Sequence, residues 1–271
     1  MFGKQKNKKN RKSVPQQEQV FFGKKLNFAA REAYKLLRTN LFFALPEAEE
    51  GRGRIIGVTS SIRGEGKSTT TVNLASTLAE TNDRVLIVEG DLRIPSIHTK
   101  LNIRSKPGLS NVLILRESHE NYIQSVEVER LNGQPITFDV LVAGEVPPNP
   151  SELIGSGRMK RRLDELAKQY DYILLDLPPV TAVTDALVAT KLVDGIVMVV
   201  RNEHADTKSL NEAIRQLRLA DAKILGFVFT CAGGPAGGYR YRYRYNRKYR
   251  YYNRYYHHGA YEKADAKEAA E

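Results

Sequence analysis

The sequence RIIGVTSSIRGEGKST, residues 54–69, decides the fold class of this 271-residue chain. A short apolar run of β type leads into a glycine-rich turn that ends in Lys67 and Ser68, and a helical pattern follows. Glycines let successive backbone N–H groups curl around phosphate oxygens, and a helix N-terminus adds partial positive charge. The stretch therefore predicts a phosphate-binding P-loop. Because Ser61 stands where the general pattern has its first glycine, a turn that only joins strand to helix stays open as an alternative.

Apolar β-rich runs alternate with helical stretches along the rest of the chain. The runs are nearly continuous, which is typical of strands covered on both faces. The order predicts a doubly wound, mostly parallel α/β sheet with helices on both faces, of the P-loop NTPase type. Strands are predicted at 54–59, 84–88, 138–142, 172–175, 195–200 and 224–229, and helices at 31–44, 69–80, 158–169 and 208–219.

Acidic residues follow two of these predicted strands. Asp176 ends the run at 172–175, and Glu89 and Asp91 follow the run at 84–88. Because parallel strands end at one edge of a sheet, we expect these carboxylates beside the P-loop, where Asp176 would hold Mg²⁺. Taken singly, each has an alternative as a helix N-cap or a solvated turn residue. Lys67 itself is expected at the solvent edge of the domain rather than in the core.

The positive charge is concentrated at the two ends of the sequence. Of the net charge of +11, residues 1–25 carry +7 and residues 239–271 carry +5, so the region between is close to neutral. A globular nucleic-acid-binding face is therefore not indicated. The single cysteine excludes an internal disulfide, and no apolar run approaches the ~18 residues of a membrane span. We predict a basic flexible arm at 1–25, a P-loop domain at 26–232 and a flexible tail at 233–271.

The predicted tail holds ten of the fourteen tyrosines, many of them alternating with arginine. Such a segment presents phenol hydroxyls to a kinase, and each phosphorylation would add about −1.5 to −2 charge. Binding of single-stranded nucleic acid is the rival interpretation, because tyrosine stacks on bases and arginine neutralises phosphates. The candidate phosphorylation sites are Tyr239, Tyr241, Tyr243, Tyr245, Tyr249, Tyr251, Tyr252, Tyr255, Tyr256 and Tyr261.

Several motifs together resemble one known family. The sequence is similar, from about Glu32 to Thr230, to the cytoplasmic bacterial tyrosine kinases of capsule and exopolysaccharide operons (BY-kinases of the CpsD/CapB type), relatives of the MinD/ParA-type P-loop ATPases. A signature lysine of the MinD/ParA proteins is Ile62 here, which disfavours a partition or septum-placement ATPase. The segments that carry the resemblance are EAYKLLRTN (32–40), GEGKSTT (64–70), DLRIP (91–95), PPNPSEL (147–153), YDYILLDLPPV (170–180), TDA (184–186) and VVR (199–201).

The resemblance implies ATP and Mg²⁺ as cofactors and assigns roles to individual residues. Glu89 stands where the family usually has the aspartate proposed to accept the tyrosine proton. Catalysis is assigned to Lys67, Glu89, Asp91 and Asp176, Mg²⁺ binding to Ser68, Asp91 and Asp176, and nucleotide binding to Arg63, Gly64, Glu65, Gly66, Lys67, Ser68 and Thr69. The family motif for ring-like self-association corresponds to Glu32, Lys35 and Arg38, with lysine at an arginine position.

The resemblance also implies a function and partners. We expect a tyrosine autokinase that phosphorylates its own tail and regulates capsular or exopolysaccharide biosynthesis, at the inner face of the cell membrane. Expected partners are further copies of the chain in a ring-like homo-oligomer, a membrane adaptor of the polysaccharide co-polymerase type and a cognate phosphotyrosine phosphatase, but no nucleic acid. The alternatives are a P-loop ATPase assembly switch with weak kinase activity and a nucleic-acid-binding ATPase.

Overall fold

The computed structural model describes Gly23 and residues 26–46, 50–115, 118–129 and 135–231. The predicted tail and all ten of its tyrosines lie outside the described residues, as does the predicted arm except for Gly23. No helix within the described ranges is long and apolar enough to cross a membrane.

The described residues form a seven-stranded sheet in which the strand order is β3-β4-β2-β5-β1-β6-β7. All neighbouring strands are parallel except β3 and β4, which are antiparallel. This confirms the predicted doubly wound, mostly parallel sheet. The strands are β1 (Arg54–Ser60), β2 (Val85–Glu89), β3 (Gln124–Val128), β4 (Ile136–Leu141), β5 (Tyr172–Asp176), β6 (Gly195–Arg201) and β7 (Ile224–Thr230).

The four predicted helices are present, each within a few residues of its predicted bounds. Four shorter helices of five to seven residues, which the sequence analysis did not predict, lie in the connections. The helices are α1 (Phe28–Ala44), α2 (Lys67–Ala79), α3 (Ile97–Leu101), α4 (Leu109–Leu115), α5 (Pro150–Ile154), α6 (Gly157–Leu166), α7 (Asp185–Ala189) and α8 (Thr207–Leu219), with 3₁₀ turns at His119–Tyr122 and Thr190–Leu192.

The core consists of two apolar clusters, one on each face of the sheet. Ile55 and Ile56, neighbours in β1, belong to opposite clusters, because successive side chains of a strand point to opposite faces. Helices α1 and α2 pack on one face, whereas α6 and α8 pack on the other. The central strands are therefore buried on both sides, as their continuous apolar runs predict.

The two edge strands differ from the sequence predictions. Strand β3 was not predicted, because its short alternation of polar and apolar residues carries a weak apolar signal. Strand β7 was predicted to be covered on both faces, and this is wrong. Phe227 and Phe229 are 42% and 64% exposed, since β7 ends the sheet and none of the described helices covers these two side chains.

The sheet register places the predicted site residues side by side. Asp176 pairs with Glu89 across β5 and β2, and with Val58 across β5 and β1. Because β1 runs directly into residues 61–66, both carboxylates lie at the edge of the sheet where the glycine-rich turn begins.

Candidate nucleotide and phosphotransfer site

The glycine-rich turn adopts a conformation that requires glycine at two positions. Gly64 and Gly66 have φ angles of 86° and 93°, in the left-handed region that side chains with a Cβ rarely adopt. Helix α2 begins at Lys67 with Gly66 as its N-cap residue. The backbone N–H groups of the first turn therefore face the loop, which is the arrangement that binds phosphate.

Glu65 supports the loop from the inside. Its fully buried carboxylate accepts hydrogen bonds from the Ser61 hydroxyl at 2.8 Å and from the Ile62 and Arg201 N–H groups at 2.9 and 3.2 Å. The Thr230 hydroxyl donates to the Glu65 carbonyl oxygen at 2.8 Å. Glu65 was predicted to bind nucleotide, and its side chain points instead into the protein. Thr230, at the end of β7, is a supporting residue that the sequence analysis did not assign.

Lys67 lies among carboxylates and is only partly exposed, which is less exposure than its expected position at the solvent edge implies. Its Nζ is 2.9 Å from Asp91 Oδ2, and the two side chains are only 14% and 7% exposed. Burial alone would lower the pKa of Lys67. The charges of Asp176 and Asp91 outweigh burial and raise that pKa, so the lysine is held as a cation at the phosphate position.

Asp176 presents an unpaired oxygen to the same site. Its Oδ1 accepts a hydrogen bond from the Thr71 hydroxyl at 3.2 Å, while its buried Oδ2 has no partner. Burial raises the pKa of Asp176 to about 6, against the lowering effects of Lys67 and Ser68. A buried carboxylate oxygen without a donor has the character of a cation ligand, since it is costly to leave unsatisfied.

The donor set fits Mg²⁺. Ser68, Asp91 and Asp176 supply hydroxyl and carboxylate oxygens, which are the hard ligands that this ion prefers. Across the described ranges, no group of three or more His, Cys, Asp or Glu side chains is arranged to hold a metal ion without other ligands. These three residues would hold Mg²⁺ together with the phosphates of a nucleotide, as in other P-loop proteins.

Glu89 is fully buried, and the backbone occupies both of its oxygens. Oε1 accepts the N–H groups of Ser96 at 2.5 Å and Ile97 at 2.7 Å, and Oε2 accepts the N–H of Ala143 at 3.0 Å. Burial raises the pKa of Glu89, while these hydrogen bonds act to lower it. Glu89 lies at the sheet edge where the sequence predicts it, but the geometry gives no support to the role of proton acceptor.

Comparison with known proteins identifies the family. The family described as an AAA domain matches residues 53–224. The tyrosine-protein kinase YwqD of Bacillus subtilis is 34% identical over 197 residues, which are 73% of this chain and 79% of YwqD. The chain belongs to the bacterial tyrosine-protein kinases.

Solved structures agree with this assignment. The kinase domain of the Escherichia coli tyrosine kinase ETK matches 74% of each chain with 32% identity and a TM-score of 0.65. The septum site-determining protein MinD of Pyrococcus horikoshii, complexed with Mg-ADP, covers 65% of this chain and 70% of its own, with 26% identity and a TM-score of 0.53. The kinase therefore has the MinD-like P-loop NTPase fold.

A second buried polar network of this kinase was not predicted. Asp185, fully buried at the start of α7, accepts hydrogen bonds from Arg93 Nε and Nη2 at 3.0 and 3.1 Å and also from the Ser151 hydroxyl. These three residues come from the loop after β2, from α5 and from α7. The network therefore holds together three separate connections next to Asp91. All three residues lie in segments that carried the family resemblance, but that resemblance assigned them no contacts.

The predicted self-association residues of the kinase lie on α1, and their side chains contact the same chain. Lys35 Nζ is 2.8 Å from Glu32, and Arg38 Nη1 donates to the Thr77 carbonyl oxygen at 2.6 Å near the end of α2. The three predicted residues line a groove of about 490 Å³ between the two helices, away from the P-loop. Arg38 thus has a structural role in the monomer in addition to its predicted role in assembly.

Proposed function

We propose that this kinase transfers the γ-phosphoryl group of Mg-ATP to the tyrosines of its own C-terminal segment and thereby regulates capsular or exopolysaccharide biosynthesis. The observation that carries the proposal is the position of Lys67 between Asp91 and Asp176, at the P-loop of a chain that belongs to the tyrosine kinases. The tyrosine-rich sequence after residue 238 supplies the acceptor.

The transfer exchanges one oxygen–phosphorus bond for another. The tyrosine oxygen forms a bond to the γ-phosphorus, the bond from that phosphorus to the β–γ bridging oxygen breaks, and ADP leaves. Lys67 neutralises negative charge on the phosphates, and bound Mg²⁺ adds to that stabilisation. We assign the tyrosine proton to Asp91. Its oxygens accept hydrogen bonds from Lys67 Nζ and the Ile94 N–H, but it is 5% exposed and held by one backbone amide, whereas Glu89 is completely buried and held by three.

Transfer between subunits is favoured over transfer within one subunit. Thr230, at the end of β7, contacts the P-loop, so the tail starts close to the nucleotide edge. If the six residues 233–238 at the start of the predicted tail form a flexible joint, as their glycine and proline content predicts, they would span roughly 12–15 Å, which excludes neither route. Self-association through α1 would place the tail of one copy at the site of the next without a sharp reversal of the chain.

Assembly and membrane partners are part of the same proposal. The groove beside Glu32, Lys35 and Arg38 offers both signs of charge to a neighbouring copy in a ring-like oligomer. A membrane adaptor of the polysaccharide co-polymerase type would recruit the kinase to the inner face of the membrane. A phosphotyrosine phosphatase would remove the phosphate groups from the tail tyrosines. The excess positive charge of residues 1–25 suits an anionic membrane surface.

A mixing experiment tests the function. A full-length Lys67→Ala chain, which needs only its tail to act as acceptor, is incubated with Mg-ATP and a chain that ends at Ala232. We expect phosphotyrosine on the Lys67→Ala chain. If the shortened chain is folded and binds ATP but produces no signal, transfer between subunits is refuted. ATP hydrolysis without phosphotyrosine in the wild type would favour an assembly ATPase, and salt-sensitive retention of single-stranded nucleic acid would favour the nucleic-acid-binding alternative.

A further inference from the structure

We infer that Glu89 is a positioning residue and not the proton acceptor of the kinase: its carboxylate holds Ser96 so that the Ser96 hydroxyl stays against the proposed Mg²⁺ ligand Ser68. The inference rests on the proposed function, because it concerns the roles of residues in the same site. It differs from the role that the family resemblance implies for this position.

Both oxygens of Glu89 are bound by backbone amides. Three backbone N–H groups, from Ser96, Ile97 and Ala143, donate to this one carboxylate at 2.5–3.0 Å. Buried N–H groups need a partner, so these bonds cannot be released without a structural cost. A tyrosine hydroxyl would also have to reach a side chain that is 0% exposed. The geometry is that of a clamp between the end of β4 and the start of α3.

The clamp holds Ser96 next to Ser68. Ser96, the residue before α3, donates its backbone N–H to Glu89, and its Oγ lies 3.1 Å from Ser68 Oγ. The Glu89 carboxylate is thereby linked through one residue to the hydroxyl that would bind Mg²⁺. A shift of Ser96 would change the orientation of that hydroxyl, and the expected consequence is weaker Mg²⁺ binding.

The length of the Glu89 side chain decides whether its carboxylate reaches the three amides. The Cα of Glu89 is fixed in β2 by its register with Asp176, so only the side chain determines what the carboxylate reaches. Glutamate is longer than aspartate by one methylene, about 1.5 Å. An aspartate at position 89 would therefore withdraw from the amides of Ser96, Ile97 and Ala143. Glutamine would keep the length and one acceptor oxygen, which can serve both Ser96 and Ile97, while its NH₂ group would leave the Ala143 N–H without an acceptor.

The two roles consequently predict opposite orders for two substitutions. If Glu89 accepts the proton, Glu89→Asp keeps a base and stays active, while Glu89→Gln loses the base. If Glu89 positions Ser96, Glu89→Gln keeps most of the clamp, while Glu89→Asp loses it. We expect the phosphorylation rate of Glu89→Gln to stay within about tenfold of wild type and to exceed that of Glu89→Asp.

The test measures two quantities on the full chain. The first is the tail phosphorylation rate of wild type, Glu89→Gln and Glu89→Asp at saturating Mg-ATP. The second, which needs no phosphotransfer, is the gain in affinity for a fluorescent ADP when Mg²⁺ replaces EDTA. We expect Glu89→Asp to reduce this gain by at least fivefold. Ser96→Ala, which leaves all three amide bonds in place, should also reduce the gain, and the exposed substitution Glu145→Gln should not change it.

Two results would overturn the inference. One is a phosphorylation rate of Glu89→Gln at least tenfold below that of Glu89→Asp. The other is a Glu89→Asp chain in which Mg²⁺ increases the affinity for ADP as much as it does in wild type. If Glu89→Asp does not fold, Ser96→Ala replaces it in the measurement of ADP affinity with and without Mg²⁺. A Glu89→Gln phosphorylation rate more than a hundredfold below wild type would then overturn the inference. A wild type that binds Mg-ADP but phosphorylates no tyrosine would refute the proposed function and leave the Mg²⁺ test of Glu89 intact.

Discussion

Replacement of Lys67 by alanine should destabilise the protein as well as abolish phosphorylation. The Lys67–Asp91 pair is largely withdrawn from water, with 2.9 Å between nitrogen and oxygen, and the fully buried Asp176 and Glu89 add negative charge nearby. Removing one partner of a buried pair leaves an uncompensated charge and costs about 3–5 kcal/mol. We expect Lys67→Ala to lower the free energy of unfolding by this amount near neutral pH, without nucleotide or Mg²⁺.

The pH dependence separates this electrostatic cost from a loss of packing. The charge of Lys67 lowers the pKa of the buried Asp176, so without the lysine the folded-state pKa of Asp176 should rise further. A group whose pKa is raised by folding makes the folded state less stable as the pH increases. The loss in free energy of unfolding caused by Lys67→Ala should therefore be larger at about pH 7.5 than at about pH 5. Urea unfolding at both pH values gives the comparison.

Two further variants serve as controls for this prediction. Lys67→Ala combined with Asp91→Asn should recover part of the lost stability, because one of the uncompensated charges is removed. Lys106→Ala should cost at most about 1 kcal/mol, since Lys106 and its partner Glu145 are both more than half exposed. A Lys67→Ala variant within 1 kcal/mol of wild type, or a deficit that does not change with pH, would refute the electrostatic reasoning.

Three other substitutions test separate parts of the structure. The folded-state pKa of Asp176, about 6, is above its ordinary value. Between about pH 4 and pH 7 the free energy of unfolding of the wild type should therefore fall by on the order of 3 kcal/mol relative to that of Asp176→Asn; parallel curves of stability against pH would contradict this. Thr230→Val removes the hydrogen bond to the Glu65 carbonyl oxygen and should lower the free energy of unfolding by about 1 kcal/mol in urea. Asp185→Ala removes the buried acceptor of Arg93 and Ser151 and should cost about 1–2 kcal/mol, since the Arg93 side chain is 39% exposed and can be solvated; a melting temperature equal to that of wild type would show that the network is not stabilising.

Local sequence patterns predicted the parts of the fold that depend on neighbours in the chain. The P-loop follows from the spacing of Gly64 and Gly66 before Lys67, because the left-handed backbone and the helix start are local requirements. The central strands follow from continuous apolar runs, which only strands covered on both faces need. Strand β7 shows the limit of this rule, since an apolar run does not reveal whether a strand has a neighbour on each side.

The positions of the site carboxylates could also be predicted, but their roles could not. Asp176 and Glu89 lie at one sheet edge because parallel strands end together, a consequence of strand order alone. The contacts of Glu89 depend on Ala143, which is 54 positions away in the sequence. No local pattern states which backbone amide will meet a given carboxylate.

The sequence by itself determined the fold class, the phosphate-binding loop and the family, because each depends on short motifs whose geometry is set within a few residues. Only the tertiary structure decided that Lys67 is buried between acids, that Glu65 faces inward and that Arg93 meets Asp185, 92 positions later. These outcomes depend on the tertiary packing, which brings side chains that are distant in the sequence into the same buried region. Burial then fixes their charges and partners, since an unpaired polar group in the core is too costly to keep.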